Sequence, residues 1–115
     1  MLDAATHLAQ ARHNEDFFGR IDQSLDSDWA VTALFYAALH YVDAYLFRKN
    51  LNPGDHAERN RMMQANPTTS AIWSHYRRLL DRSWDARYNA ATYTPPQIAQ
   101  LHQIDFARVK REMTS

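Results

Sequence analysis

The sequence contains no cysteine. Disulfide frameworks and thiolate metal sites are therefore excluded. Glycine occurs twice and proline four times in 115 residues. So little glycine rules out the Gly-rich phosphate loops of P-loop and dinucleotide-binding folds. So few chain breakers favour long helices over short strands and tight turns. Net charge is missing too, because 13 basic and 13 acidic residues cancel. No global field draws the chain to nucleic acid or to an anionic membrane. Among the basic residues lysine is scarce, with two Lys against eleven Arg. Arginine grips phosphate and carboxylate bidentately where lysine cannot, although an Arg-rich source genome gives the same bias. The N-terminal MLDAATHLAQ lacks a charged-then-apolar leader pattern. No apolar run reads as approaching the roughly 20 residues of a membrane helix. The expected location is the cytoplasm, with no membrane partner.

What is present is a globular composition, 45% hydrophobic, in a chain of the length of one domain. Residues 1–115 are read as a single all-α domain, an antiparallel bundle of four to five helices. The first helix spans about Leu2 to Phe18, and a polar connection follows. The second, about Ser27 to Lys49, starts at Asp26, Ser27 or Asp28, whose short acceptors suit a helix cap. Pro53 and Gly54 break the chain, and a short helix runs from about Asp55 to Gln64. Thr69 or Ser70 is the expected cap of the next helix, about Ala71 to Tyr88. Thr94 before Pro95 and Pro96 marks the start of the last, which ends near Met113.

The second helix is apolar over most of its circumference, which predicts a central, buried position. One stripe holds Ala30, Ala33, Leu34, Ala37, Tyr41, Ala44 and Tyr45, and a neighbouring one Val31, Phe35, Leu39, Val42 and Leu46. Thr32, Tyr36, His40 and Asp43 form a narrow polar stripe between them. Buried polar groups need partners, since an unpaired one costs about 1–3 kcal/mol. The fourth helix turns Ile72, Tyr76, Leu79, Leu80 and Trp84 inward, with Arg87 on the same face and Ser83 one turn before it. The last helix turns Ile98, Leu101 and Val109 inward, with Asp105 among them. These placements predict a buried ion pair of Arg87 with Asp105 or Asp43, whose bland reading is helix packing alone. His75, Arg78 and Arg82 share another edge of the fourth helix, near Arg77, Arg59 and Arg61. That edge suits phosphate, or is a solvated face balanced by Asp81 and Asp85. Of Trp29, Trp73 and Trp84, at least two are expected in the core.

Six histidines occur without an HxxxH or HExxH spacing. No metal and no cofactor is expected on that basis. A set such as His40, His56 and His102 could be assembled only by the fold.

Two segments, FYAALHYVDAYLFRKNLNPGDH (Phe35 to His56) and YRRLLDRSWDARYNAATYTPPQIAQLHQ, resemble the HEPN family. The resemblance covers about three quarters of the chain, from near Trp29 onward. It implies a helical bundle, usually dimeric, associated with RNA or nucleotides. Many such proteins are metal-independent ribonucleases, often toxins paired with a nucleotidyltransferase antitoxin. Those carry an Arg and, after four to six intervening residues, a His. In this chain no Arg has that spacing, and Tyr88 stands where the His after Arg82 would be. A tyrosine, with an ordinary pKa near 10, is a poor base at neutral pH. The leading expectation is therefore a HEPN-like domain that binds RNA or a nucleotide, a component of a toxin–antitoxin or defence system. Tyr36, His40, His56, Arg59, Arg82, Arg87 and Tyr88 are the candidate ligand-binding residues. The alternative is a homodimerising or protein-docking module without ligand chemistry. The third reading is an atypical ribonuclease with His40 or His56 as its titrating group.

Overall fold

The computed structural model describes residues 2–115, and every regular element among them is helical. In chain order these are α1 (Ala4–Arg20), α2 (Ser27–Arg48), α3 (His56–Ala65), α4 (Pro67–Ser70) and α5 (Trp73–Tyr88). The chain ends in one continuous rod made of α6 (Pro95–Gln100), a π-helical segment (Leu101–Phe106) and α7 (Ala107–Thr114). The four long rods form an antiparallel bundle, with α3 and α4 as a short crossover between α2 and α5. Side-chain pairs tie the rods together. His7, early in α1, meets His40, late in α2. Tyr36 meets Arg87 near the end of α5. Arg78 of α5 meets Asp105 of the last rod.

Local sequence explains most of the boundaries. Asp3 caps α1 by accepting from the Thr6 amide at 2.8 Å, and Asp55 caps α3 from the Glu58 amide at 2.8 Å. Thr94 and Gln97 form a reciprocal capping box, with Pro95 and Pro96 in the first turn of α6. α2 closes on Asn50, whose φ is 61°. The Leu51 and Asn50 amides there bond the Leu46 and Phe47 carbonyls, a Schellman ending that favours Gly or Asn.

Two expected caps are corrected. Asp26 stands at the start of α2 without a side-chain bond to it. Ser27 instead accepts from the Tyr93 amide at 3.1 Å, tying the start of α2 to the loop before α6. Thr69 and Ser70 do not start α5, because Asn66 caps the extra helix α4 before it. The Thr69 hydroxyl donates to the Met63 carbonyl at 2.7 Å.

α2 is the central rod, with 15 of its 22 residues buried. It touches α1, α5 and the last rod, and its alanines let those neighbours approach. By length and composition α2 does reach membrane-span proportions, contrary to the sequence reading. In the fold 78% of that apolar stretch is buried within the bundle, the position a core helix takes in any all-α domain. In α5 the buried face holds Tyr76, Leu79, Ser83 and Ala86. Trp84 lies about 100° round the helix from Ser83 and is 54% exposed. Trp29 is 57% exposed, while Trp73 packs on Tyr76. One tryptophan of three, not two, is thus packed on the core.

In the π-helical segment the Ala107 amide bonds the His102 carbonyl five residues back. The wider turn lets the adjacent residues Asp105 and Phe106 both point inward, each at 1% exposure.

Candidate functional site

Two buried carboxylates organise the polar interior, and neither pairs with Arg87 as the sequence reading expected. Asp43 receives Arg59 bidentately, Nε at 2.6 Å and Nη2 at 2.9 Å. Both side chains are less than 10% exposed. Asp105 receives Arg78 and, at 2.8 Å, His75 Nδ1. The crossover helix α3 carries Arg59 over Asp43. That placement follows from chain routing, which helical periodicity does not encode.

Arg87 holds a different position. Its Nη1 donates to the Tyr36 hydroxyl at 2.8 Å and its Nε to the Ser83 carbonyl at 3.2 Å. Its guanidinium carbon lies 5.3 Å from the Tyr36 ring centre, 5.8 Å from that of Phe35 and 5.1 Å from that of Tyr88. Among the described residues no carboxylate pairs with it, so the cation is held by rings and neutral oxygens. Guanidinium donors remain for a ligand beyond the three that are engaged.

Beside Arg87 is a cleft of about 420 Å³ lined by His56, Asn60, Leu80, Asp81, Trp84, Arg87 and Tyr88. Trp84 and Tyr88 have ring centres 4.4 Å apart, and Tyr88 is 62% exposed. Asn60 Oδ1 is buried without a hydrogen-bond partner among the described residues. His56 Nδ1 accepts from Arg59 Nη1 at 3.3 Å, which leaves Nε2 as the protonated nitrogen of the neutral ring. Partial burial, then the Arg59 and Arg87 cations, hold the His56 pKa below its ordinary value. At neutral pH His56 is therefore an uncharged imidazole beside a fixed cation.

No family model, curated protein or solved structure matches the chain.

Of the seven candidate residues, the fold brings together Tyr36, His56, Arg59, Arg87 and Tyr88. Arg59 is committed to Asp43, so it positions the site and is not a free phosphate-binding cation. His40 lines a separate groove with Gln10, Asn14, Phe17, Trp29, Thr32, Ala33 and Tyr36. Tyr36 links that groove to Arg87. Arg82 lies on another side of α5, in a cleft with Arg78, Tyr93, Gln97, Gln100 and Asp105. The edge of His75, Arg78 and Arg82 is thus only partly cationic, since its first two members converge on Asp105, and among the described residues no carboxylate pairs with Arg82.

The three-histidine set does not form around His102, whose ring packs on Phe18 and Phe106. The fold assembles a different group, His7, His40 and Asp43. Sequence reasoning missed Asn60 and His7, and it read Trp84 as an inward residue or an interface anchor, not as part of a ligand cleft. Trp84 had been given to the core because large aromatics at helical spacing usually belong there. Asn60 and His7 carried no signal short of knowing which helices pack together.

Proposed function

We propose that this chain is a HEPN-like domain that binds RNA or a nucleotide in the cleft between α3 and α5. The observation that carries the reading is the exposed Trp84–Tyr88 pair beside the Arg87 guanidinium. Nucleic-acid bases stack on exposed aromatic faces, and such stacking is worth about 1–3 kcal/mol per base. Trp84 and Tyr88 are too close together to admit a base between them, so it would stack on an outer face. Arg87 supplies a fixed cation for phosphate, and Asn60 Oδ1 an acceptor for a base amino group.

The family reading rests on the residues of Phe35–His56 and of α5. With it come a homodimer, a cytoplasmic setting, a toxin–antitoxin or defence role and a nucleotidyltransferase-type partner, all as parts of the same proposal. Binding is favoured over cleavage. Acid–base cleavage of RNA uses a base and an acid, and among the described residues His56 is the one histidine lining this cleft. His40 lines a different groove, and Tyr88 is a poor substitute.

The test is fluorescence anisotropy with labelled single-stranded RNA and with a labelled nucleotide, over a range of salt. Wild type is expected to bind in a salt-sensitive way. Trp84→Ala is expected to weaken binding by about 5- to 150-fold, the range given by loss of one stacked base. Arg87→Ala should weaken binding and flatten the salt dependence. Arg82→Ala should leave both unchanged. No saturable binding to either probe, or binding by the Trp84 and Arg87 variants as tight as wild type, refutes the reading.

A second reading is an interaction module, favoured by Trp29 (57% exposed) and Phe17 (42% exposed) on the α1–α2 face. Aromatic anchors are enriched at protein interfaces. Light scattering discriminates: Trp29→Ala would then break the dimer without touching RNA or nucleotide binding.

A further inference from the structure

We infer that His7, His40 and Asp43 form a binding site for a zinc-type divalent cation at the crossing of α1 and α2. His40 and Asp43 are three residues apart on one face of α2, and His7 reaches them from α1, 33 positions earlier than His40 in the chain. One ligand atom from each of the three lies within 4.8 Å of the others.

The two imidazoles meet Nδ1 to Nδ1 at 3.1 Å. Two imidazole nitrogens held on a tetrahedral zinc at about 2.0–2.1 Å are about 3.3 Å apart. The rings thus already present the edge of a zinc tetrahedron, and a small rotation opens it to the full length. Without a cation, two lone-pair-bearing Nδ1 atoms cannot both face one another, so one ring must place its proton there. A bound cation removes that conflict, because both rings then offer lone pairs.

The third ligand is pre-positioned. Asp43 is 6% exposed, and Arg59 grips both its oxygens. Each carboxylate oxygen keeps a further lone pair, so Arg59 fixes the carboxylate from behind, as outer-shell partners of metal ligands do. The groove lined by Gln10, Asn14, Tyr36 and His40 opens the His40 side of the group to solvent. Three protein ligands leave one tetrahedral position for water. Imidazole and carboxylate donors suit zinc, with nickel and copper as competitors.

The experiment uses the full chain, freed of any histidine tag and stripped with a chelator. Zinc is added in calorimetric titration and in thermal melts. One equivalent is expected to bind, with a rise in Tm. His7→Asn and His40→Asn should each weaken zinc binding at least about tenfold, while exposed His13→Asn should not change it. Because His7 is buried, its variant could misfold, so nuclear magnetic resonance of the wild-type imidazoles provides a second reading. Zinc should shift the ring signals of His7 and His40 and leave that of His13 in place. Absence of saturable zinc binding overturns the inference, as does binding that shifts neither ring or survives both substitutions in folded protein.

Discussion

Removing the Asp43 carboxylate strands a guanidinium inside the bundle, and the consequence can be worked through. Arg59 is 9% and Asp43 8% exposed at the side chain, joined by two bonds of 2.6 and 2.9 Å. Breaking such a pair from one side costs about 3–5 kcal/mol, because the surviving charge has no water to return to. A domain of this size has about 5–15 kcal/mol in all. At about 2.1 cal/mol/K of unfolding entropy per residue, 1 kcal/mol corresponds to about 4 °C here, so Asp43→Ala should lower Tm by about 12–20 °C. Arg59→Met should fall in the same range. The double variant Asp43→Leu/Arg59→Met replaces the pair by apolar groups and should return to within about 1–2 kcal/mol of wild type. The assays are thermal melts and urea unfolding, both followed by far-UV circular dichroism, in chelator so that no cation contributes. A loss below about 1 kcal/mol in Asp43→Ala would mean the charge is not desolvated. A double variant as unstable as the two single losses added together would mean that the pair is not coupled. Either result refutes the reasoning.

Asp105→Asn removes the charge that gathers His75 and Arg78 and should cost about 2–3 kcal/mol by the same unfolding assay. Half-exposed Arg78 can return to water, so the loss is smaller than at Asp43. Ala90 sits at φ 55°, a left-handed conformation costing a residue with a Cβ about 1–2 kcal/mol. After the entropy glycine adds to the unfolded chain, Ala90→Gly should still raise Tm by a few degrees, and a fall in Tm would contradict this. His40, His56 and His102 all have pKa values held below 6.5, chiefly by burial. Below that pH the unfolded chain binds protons that the folded chain resists, so stability should fall as pH drops from about 6.5. Thermal melts across this range in chelator check the sign, and His102→Gln should flatten the slope.

The helices were legible because their signals are local. Thr94 before Pro95 and Pro96, the Pro53–Gly54 break and the apolar circumference of α2 fix three boundaries and the central rod without reference to distant residues. The extra helix α4 was missed for the same reason in reverse: Asn66 before Pro67 is a cap signal as good as Thr69, and local signals alone do not choose between them. The inward faces were mostly legible from periodicity, which is a property of one helix. Trp84 escaped it because the buried face of α5 is centred near Ser83, a small polar residue that no hydrophobic pattern weights.

Partners across the bundle were another matter. The sequence singled out Asp43, Asp105 and Arg87 as inward polar residues, and all three take part in buried or half-buried polar contacts. Which of them meet was decided by the crossover, which swings Arg59 onto Asp43. It was decided too by the π-helical turn, which lets Asp105 face inward beside Phe106 and so meet His75 and Arg78. Arg87 was left among rings. The composition and local spacing of this chain determined rods with polar notches. The routing of α3 and the packing of α1 on α2 determined which notches face one another, because a side chain's partner depends on helix order and rotation about the axis, and no residue within one turn records either.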